Sequence, residues 1–161
     1  MSWSRRGLLT LPLALAACGF APVYGPGGSG GKLQNRVRTA DPKTPDDFAF
    51  AGRIAERLGP DSAATYELDW QLRVAVVAQA ITPDEVTTRY SLNGTASYVL
   101  TDISRQTAVT RGQVSSFTSY STTGTTIATM AAEQDAHLRL ARLLADEVVT
   151  RLLALDPAQV G

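Results

Sequence analysis

From Tyr66 onward the apolar and polar positions of the chain alternate. Tyr66, Leu68, Trp70, Leu72, Val74 and Val76 hold one parity, and Glu67, Asp69, Gln71 and Arg73 hold the other. A period of two predicts a strand with one buried and one solvated face. A second run follows Thr82-Pro83-Asp84, with Val86, Tyr90, Leu92, Ala96, Tyr98 and Leu100 set against Glu85, Thr87, Arg89, Ser91, Asn93, Thr95 and Ser97. Gly94 interrupts it and marks either a bulge or a close approach of backbone to a neighbour. A turn over Asp102 to Gln106 leads to a third run, Thr107 to Ser121, rich in Thr, Ser and Val. Its parity slips between Val114 and Phe117, which predicts a bulge there. Together these runs make a long antiparallel meander.

Two stretches carry the helical period instead. Thr44-Pro45-Asp46-Asp47 offers a hydroxyl N-cap, a proline at the first helical position and carboxylates where the helix dipole favours them. Gly59-Pro60 stops the helix that follows, whose stripe is Phe48, Ala51, Ile54, Ala55 and Leu58, with Arg53, Glu56 and Arg57 on a solvated face. Near the C-terminus Ala136, Leu140, Leu144, Val148 and Leu152 form a second stripe, widened by Leu143 and Leu155 and ended by Asp156-Pro157. Ala132-Glu133-Gln134-Asp135-Ala136 opens this helix. Asp135 with Arg139, Arg142 with Asp146 and Glu147 with Arg151 stand four apart and support it locally. Leu33 to Thr39 makes a short, weakly patterned strand. The fold class is therefore α+β: an antiparallel, about four-stranded sheet with two amphipathic helices packed on one face, and the other face left polar and open. Trp70 falls at the centre of the core. Core packing is the commoner fate for Phe117 and Tyr120, with contact to a partner as the alternative.

The amino terminus changes the picture most. Arg5 and Arg6 precede an apolar stretch from Gly7 to Ala17, too short to cross a hydrocarbon core of ~30 Å. Leu15-Ala16-Ala17-Cys18 is a lipobox, and Cys18 is the only cysteine of the chain. Residues 1–17 thus form a signal peptide, and Cys18 is the site of a covalent diacylglycerol and an N-acyl chain, together a lasting membrane anchor at about 0.8 kcal/mol per buried methylene. Ser4-Arg5-Arg6-Gly7-Leu8-Leu9 leaves both general secretion and twin-arginine export open. Gly19, where many enteric lipoproteins retained in the inner membrane have Asp, favours the outer membrane. The rest divides into an acylated, glycine-rich tether over 18–31, a single α+β domain over 32–156 and a tail over 157–161.

Composition removes several function classes. Fifteen basic residues balance fifteen acidic ones, so no basic excess points to nucleic acid. With Cys18 acylated, no thiol remains for catalysis, a disulfide or a metal. Gly31-Lys32 echoes the end of a phosphate-binding loop, but Pro26 and Leu33 stand where that motif needs glycine and a hydroxyl. His137, the single histidine, reads as a surface residue, and Ser115-Ser116 has no base at a telling spacing. No enzyme, metal site or soluble cofactor is expected.

Three short segments carry a family likeness: Cys18-Gly19-Phe20 with Pro22 and Tyr24-Gly25; Tyr90 to Asp102 with Gln113-Val114-Ser115-Ser116-Phe117; and Ala132 to Ala136. In this order behind a lipobox, the chain resembles the LPS-assembly lipoprotein family, LptE. The resemblance implies a non-catalytic outer-membrane lipoprotein that plugs and helps assemble the LptD β-barrel and meets lipopolysaccharide on its way to the cell surface. A small polar-surfaced domain suits a polar barrel lumen. Some members carry basic residues where this chain has Pro83 and Met130. Of the remaining strand-region cations Arg73, Arg89, Arg105 and Arg111, the candidates for lipopolysaccharide phosphate are Arg73, Arg89 and Arg111, beside the plainer reading that they solubilise the open face. The alternative function is an accessory lipoprotein of another envelope lipid-transport system.

Overall fold

The computed structural model describes residues 23–25, 27–81 and 87–160. The signal peptide, Cys18 and the connection around Pro83 lie outside these residues. In chain order the elements are α1 (Ser29–Leu33), β1 (Val37–Thr39), α2 (Pro45–Leu58), β2 (Tyr66–Ile81), β3 (Thr87–Asp102), β4 (Thr107–Ser121) and α3 (Thr126–Leu153). The four strands form one sheet in the order β1-β2-β3-β4. The α+β class and the one-sided packing of helices stand as expected from the sequence.

The sheet is mixed, not wholly antiparallel. β1 pairs parallel to β2, with Val37 opposite Tyr66 and Thr39 opposite Leu68. The reason is the intervening α2, which returns the chain to the starting end of the sheet so that the next strand must run the same way. β2 and β3 then form a long antiparallel ladder, and β4 continues it.

α2 starts where its sequence says it should. Thr44 Oγ1 accepts from Asp47 N at 3.2 Å, and Asp47 Oδ2 accepts from Thr44 N at 3.0 Å, a complete capping box. Its buried stripe, however, is Phe50, Ala51, Ile54 and Leu58, while Phe48 is 63% exposed. Nor is its charged face simply solvated. Arg53 and Arg57 cross to Asp146 of α3, at 3.0 and 2.9 Å. Asp146 therefore serves these two arginines of α2, and among the described residues no ion pair joins it to Arg142.

α3 begins at Thr126, well before Ala132, with Thr125 Oγ1 accepting from Ala128 N. Its first turns were hidden in the sequence because they bury no stripe: Ile127 is 81% and Met130 65% exposed. From Ala136 on, Leu140, Leu144, Val148 and Leu152 are fully or almost fully buried against Ile54, Leu92 and Leu100, whereas Leu143 faces outward. Gly94 is the close approach and not the bulge, since a Cβ there would stand 2.9 Å from Leu140 Cδ2 while its register with Val74 and Ser116 runs on unbroken. The β4 irregularity lies at the other end, between Leu100 and Thr101 of its partner strand. Val114 points inward and Phe117 outward in unbroken alternation, so Phe117 is 72% exposed instead of packed in the core.

Both ends of the domain close on α3. The glycine run, expected to be tether as far as Gly31, ends in helix α1, where Ser29 is buried and its Oγ donates to Leu153 O at 2.5 Å. Lys32 Nζ donates to Pro157 O at 2.7 Å, and Val160, expected in a free tail, is completely buried.

Candidate functional site

α2 and α3 run in the same direction. Asp46 Oδ2 meets His137 Nδ1 at 2.9 Å, and seven residues further along α2, Arg53 meets Asp146. α2 therefore begins level with His137, and about three turns of α3 run on without it. The expected surface histidine is in fact half-buried in a link between two helices.

This mismatch opens a groove. α2 covers β2 as far as Trp70, whose ring lies 5.2 Å from that of Phe50 and whose Nε1 donates to Asp47 Oδ1 at 3.1 Å. Trp70 is accordingly a half-buried residue at the rim of the core, not its centre. Beyond it, among the described residues, no helix lies above Leu72 and Val74 on that side, and with Ile127, Met130, Gln134 and the start of α2 they line a cavity of about 940 Å³. Val76, next along the strand on the same face, is 50% exposed.

The groove has an apolar floor and an acidic rim formed by Asp46, Asp47 and Glu133. Burial acts to raise the Asp47 carboxyl, but hydrogen bonds from the Thr44 hydroxyl, the Trp70 indole and the N–H groups of Lys43 and Thr44 outweigh it and hold the group below the usual carboxylate range. Behind the rim, burial first and the neighbouring Glu133 second push the Tyr120 hydroxyl above its ordinary range. Tyr120 stacks on Tyr90, centroids 5.5 Å apart. It is this half-buried pair, rather than Phe117, that joins the packed side of the sheet.

Among the described residues no helix lies over the opposite sheet face. Arg73, Arg89 and Arg111 all lie on it and are exposed. The register separates them: Arg73 stands opposite Thr95, Arg89 opposite Ser121 and Arg111 opposite Val99. Along β3 those rows span ten residues, or about 34 Å. The structure thus brings the three candidates onto one face without gathering them into one pocket. Arg73 Nη2 is 3.3 Å from Gln71 Oε1 and borders a shallow depression with Asn93, Thr95, Ser115 and Phe117. Arg105 is elsewhere, in the β3–β4 turn, paired at 3.2 Å with the buried Asp102.

Among the described residues no three His, Cys, Asp or Glu side chains gather as a metal site, and no helix is long and apolar enough to cross a membrane. The groove was missed by periodicity, yet a signal for it exists. β2 has 16 residues and α2 has 14, which correspond to about 53 Å of strand and about 21 Å of helix. One such helix cannot cover one such strand.

A sheet of this connectivity with a long C-terminal helix on one face is a fold shared with bacterial lipoproteins. A protein of Caulobacter crescentus CB15 classed as a lipoprotein superposes with a TM-score of 0.62 at 21% identity, over 78% of this chain and 92% of that one. Rare lipoprotein B of Shewanella oneidensis does so at 0.53 and 11%, over 73% and 91%. Lipoprotein B of Nitrosomonas europaea gives 0.54 and 8%, over 74% and 82%. No curated protein sequence matches the chain. Residues 32–152 match the sequence pattern of the LptE family, described as lipopolysaccharide-assembly, and the chain belongs to that family.

Proposed function

We propose that this protein is an outer-membrane lipoprotein, anchored through diacylglycerol and an N-acyl chain on Cys18, that serves as plug and assembly partner of an LptD-type β-barrel in lipopolysaccharide transport. Family membership over residues 32–152 carries the reading. The open sheet face supports it, because its Ser, Thr, Asn and Gln side chains suit the polar lumen of a wide barrel. The role is one of binding and scaffolding, with no bond made or broken. Arg73, Arg89 and Arg111 are spaced to meet separate phosphate groups of passing glycolipid, each as a single charged hydrogen-bonding contact.

The test is purification of the full-length chain through a C-terminal tag from gently solubilised outer membrane, beside a Cys18→Ser strain. A large β-barrel recovered in equal amount is the expected result. Recovery of an inner-membrane transporter, or of no barrel, overturns the reading in favour of an accessory lipoprotein.

A further inference from the structure

Among the described residues, no strand lies beside the edge of β2 that borders the groove. Tyr66 N donates to Arg36 O and Ala40 N donates to Leu68 O, both at 3.0 Å. The even-numbered residues of β2 therefore direct N–H and C=O toward β1, while the odd-numbered ones serve the β3 ladder. β1 ends at Thr39, opposite Leu68. Leu72, Val74 and Val76 thus present a row of backbone donors and acceptors with no strand partner among the described residues. Folded proteins ordinarily blunt such an edge with proline, an inward charge or a covering element. Here the same three residues turn apolar side chains toward the groove side, and Val76 and Met130 stand open at its end.

We propose that this edge takes up an extended segment of a partner protein by strand addition, the side chains on its groove-facing parity being apolar against Leu72, Val74 and Met130 and basic where they reach Asp46, Asp47 and Glu133. Main-chain pairing would supply affinity and the alternate pockets specificity. The tether that follows Cys18 does not reach the site. The segment from Cys18 to Val23 spans at most about 18 Å and enters beside α1, at the C-terminal end of α3, whereas Met130 lies about 35 Å back along that helix. Residues 82–86 are committed to joining β2 to β3. A second copy would bring the same carboxylates against the rim, and a phosphorylated glycolipid would meet like charge. The proposal rests on the barrel reading only for the source of the segment.

The experiment places p-benzoylphenylalanine at Met130, and for comparison at Gln113 on the open face, in the full-length acylated chain, with crosslinked peptides mapped after purification. The expected result is one short barrel segment, with apolar and basic residues on the same strand parity, attached at Met130. Val76→Pro should lower that adduct at least tenfold without loss of the fold, because the Val76 N–H belongs to the free edge and not to the β3 ladder. Gln134→Lys, at an exposed rim position that does not test the backbone, should also lower it, and Gln134→Glu should not. A Met130 adduct with lipopolysaccharide or with a second copy overturns the proposal, as does a segment adduct indifferent to both Val76→Pro and Gln134→Lys. If the barrel co-purifies but Met130 does not label it, strand addition fails while the barrel reading stands. If no barrel co-purifies, both fall.

Discussion

The indole of Trp70 donates its Nε1–H to Asp47 Oδ1 at 3.1 Å, so that the carboxylate closing the capping box of α2 also ties that helix to β2. One group thus sets where α2 begins and where on the sheet it rests. Trp70→Phe should cost about 1 kcal/mol, the ordinary net value of such a bond, and Asp47→Ala about 2 kcal/mol, since the cap is lost as well. Urea unfolding of both variants and the double mutant checks this: the two effects should add to more than the double mutant shows.

Gly94 lies beneath two leucines, with an added Cβ 2.9 Å from Leu140 Cδ2 and 3.0 Å from Leu144 Cδ1. Gly94→Val should destabilise the domain by about 1–3 kcal/mol through overpacking. Pairing it with Leu140→Val should recover part of the loss, which thermal unfolding would show.

Acid should weaken the domain through two carboxylates. The Asp102 carboxyl is held below its usual range chiefly by the Ser104 hydroxyl, then by the Arg105 N–H, and Asp47 is lowered likewise by its donors. A depressed carboxyl lends stability that is fully present above its unfolded value, near 3.9, and fades as pH falls below it toward the folded value. The melting temperature should therefore drop below about pH 4, and Asp102→Asn should flatten that drop while lowering stability at pH 7.

Cys18→Ser should abolish acylation, leaving the chain to be held at the membrane by its barrel partner alone. Fractionation followed by mass measurement of the amino-terminal peptide tests it. A wild-type amino-terminal peptide that carries no acyl mass would exclude the lipid anchor.

Much of this architecture was legible where chemistry is local. The Thr44-Pro45-Asp46-Asp47 cap fixed one end of α2, and strict alternation fixed β2 and β3. Errors arose where the deciding partner lies far along the chain. Phe48 and Phe50 fit a helical stripe almost equally until Trp70 selects Phe50. Arg53 and Arg57 look solvated until α3 brings Asp146 to them. β1 offers only Val37–Thr39, too little pattern to reveal its direction, although the order strand, helix, strand already implied it. For the candidate site, the arginines of the open face could be read from parity. The groove arises from unequal element lengths, which periodicity does not report.

The hydrogen bond from Ser29 to the last turn of α3 gives the molecule a foot and a head. With 28 residues, α3 is a post about 42 Å tall, and the chain enters at its base. Met130 and the groove beside it stand at the opposite end of that post from Ser29. Two extra turns in α3 would carry that head about 11 Å further from the base, so the distance from foot to groove is written in the length of a single helix.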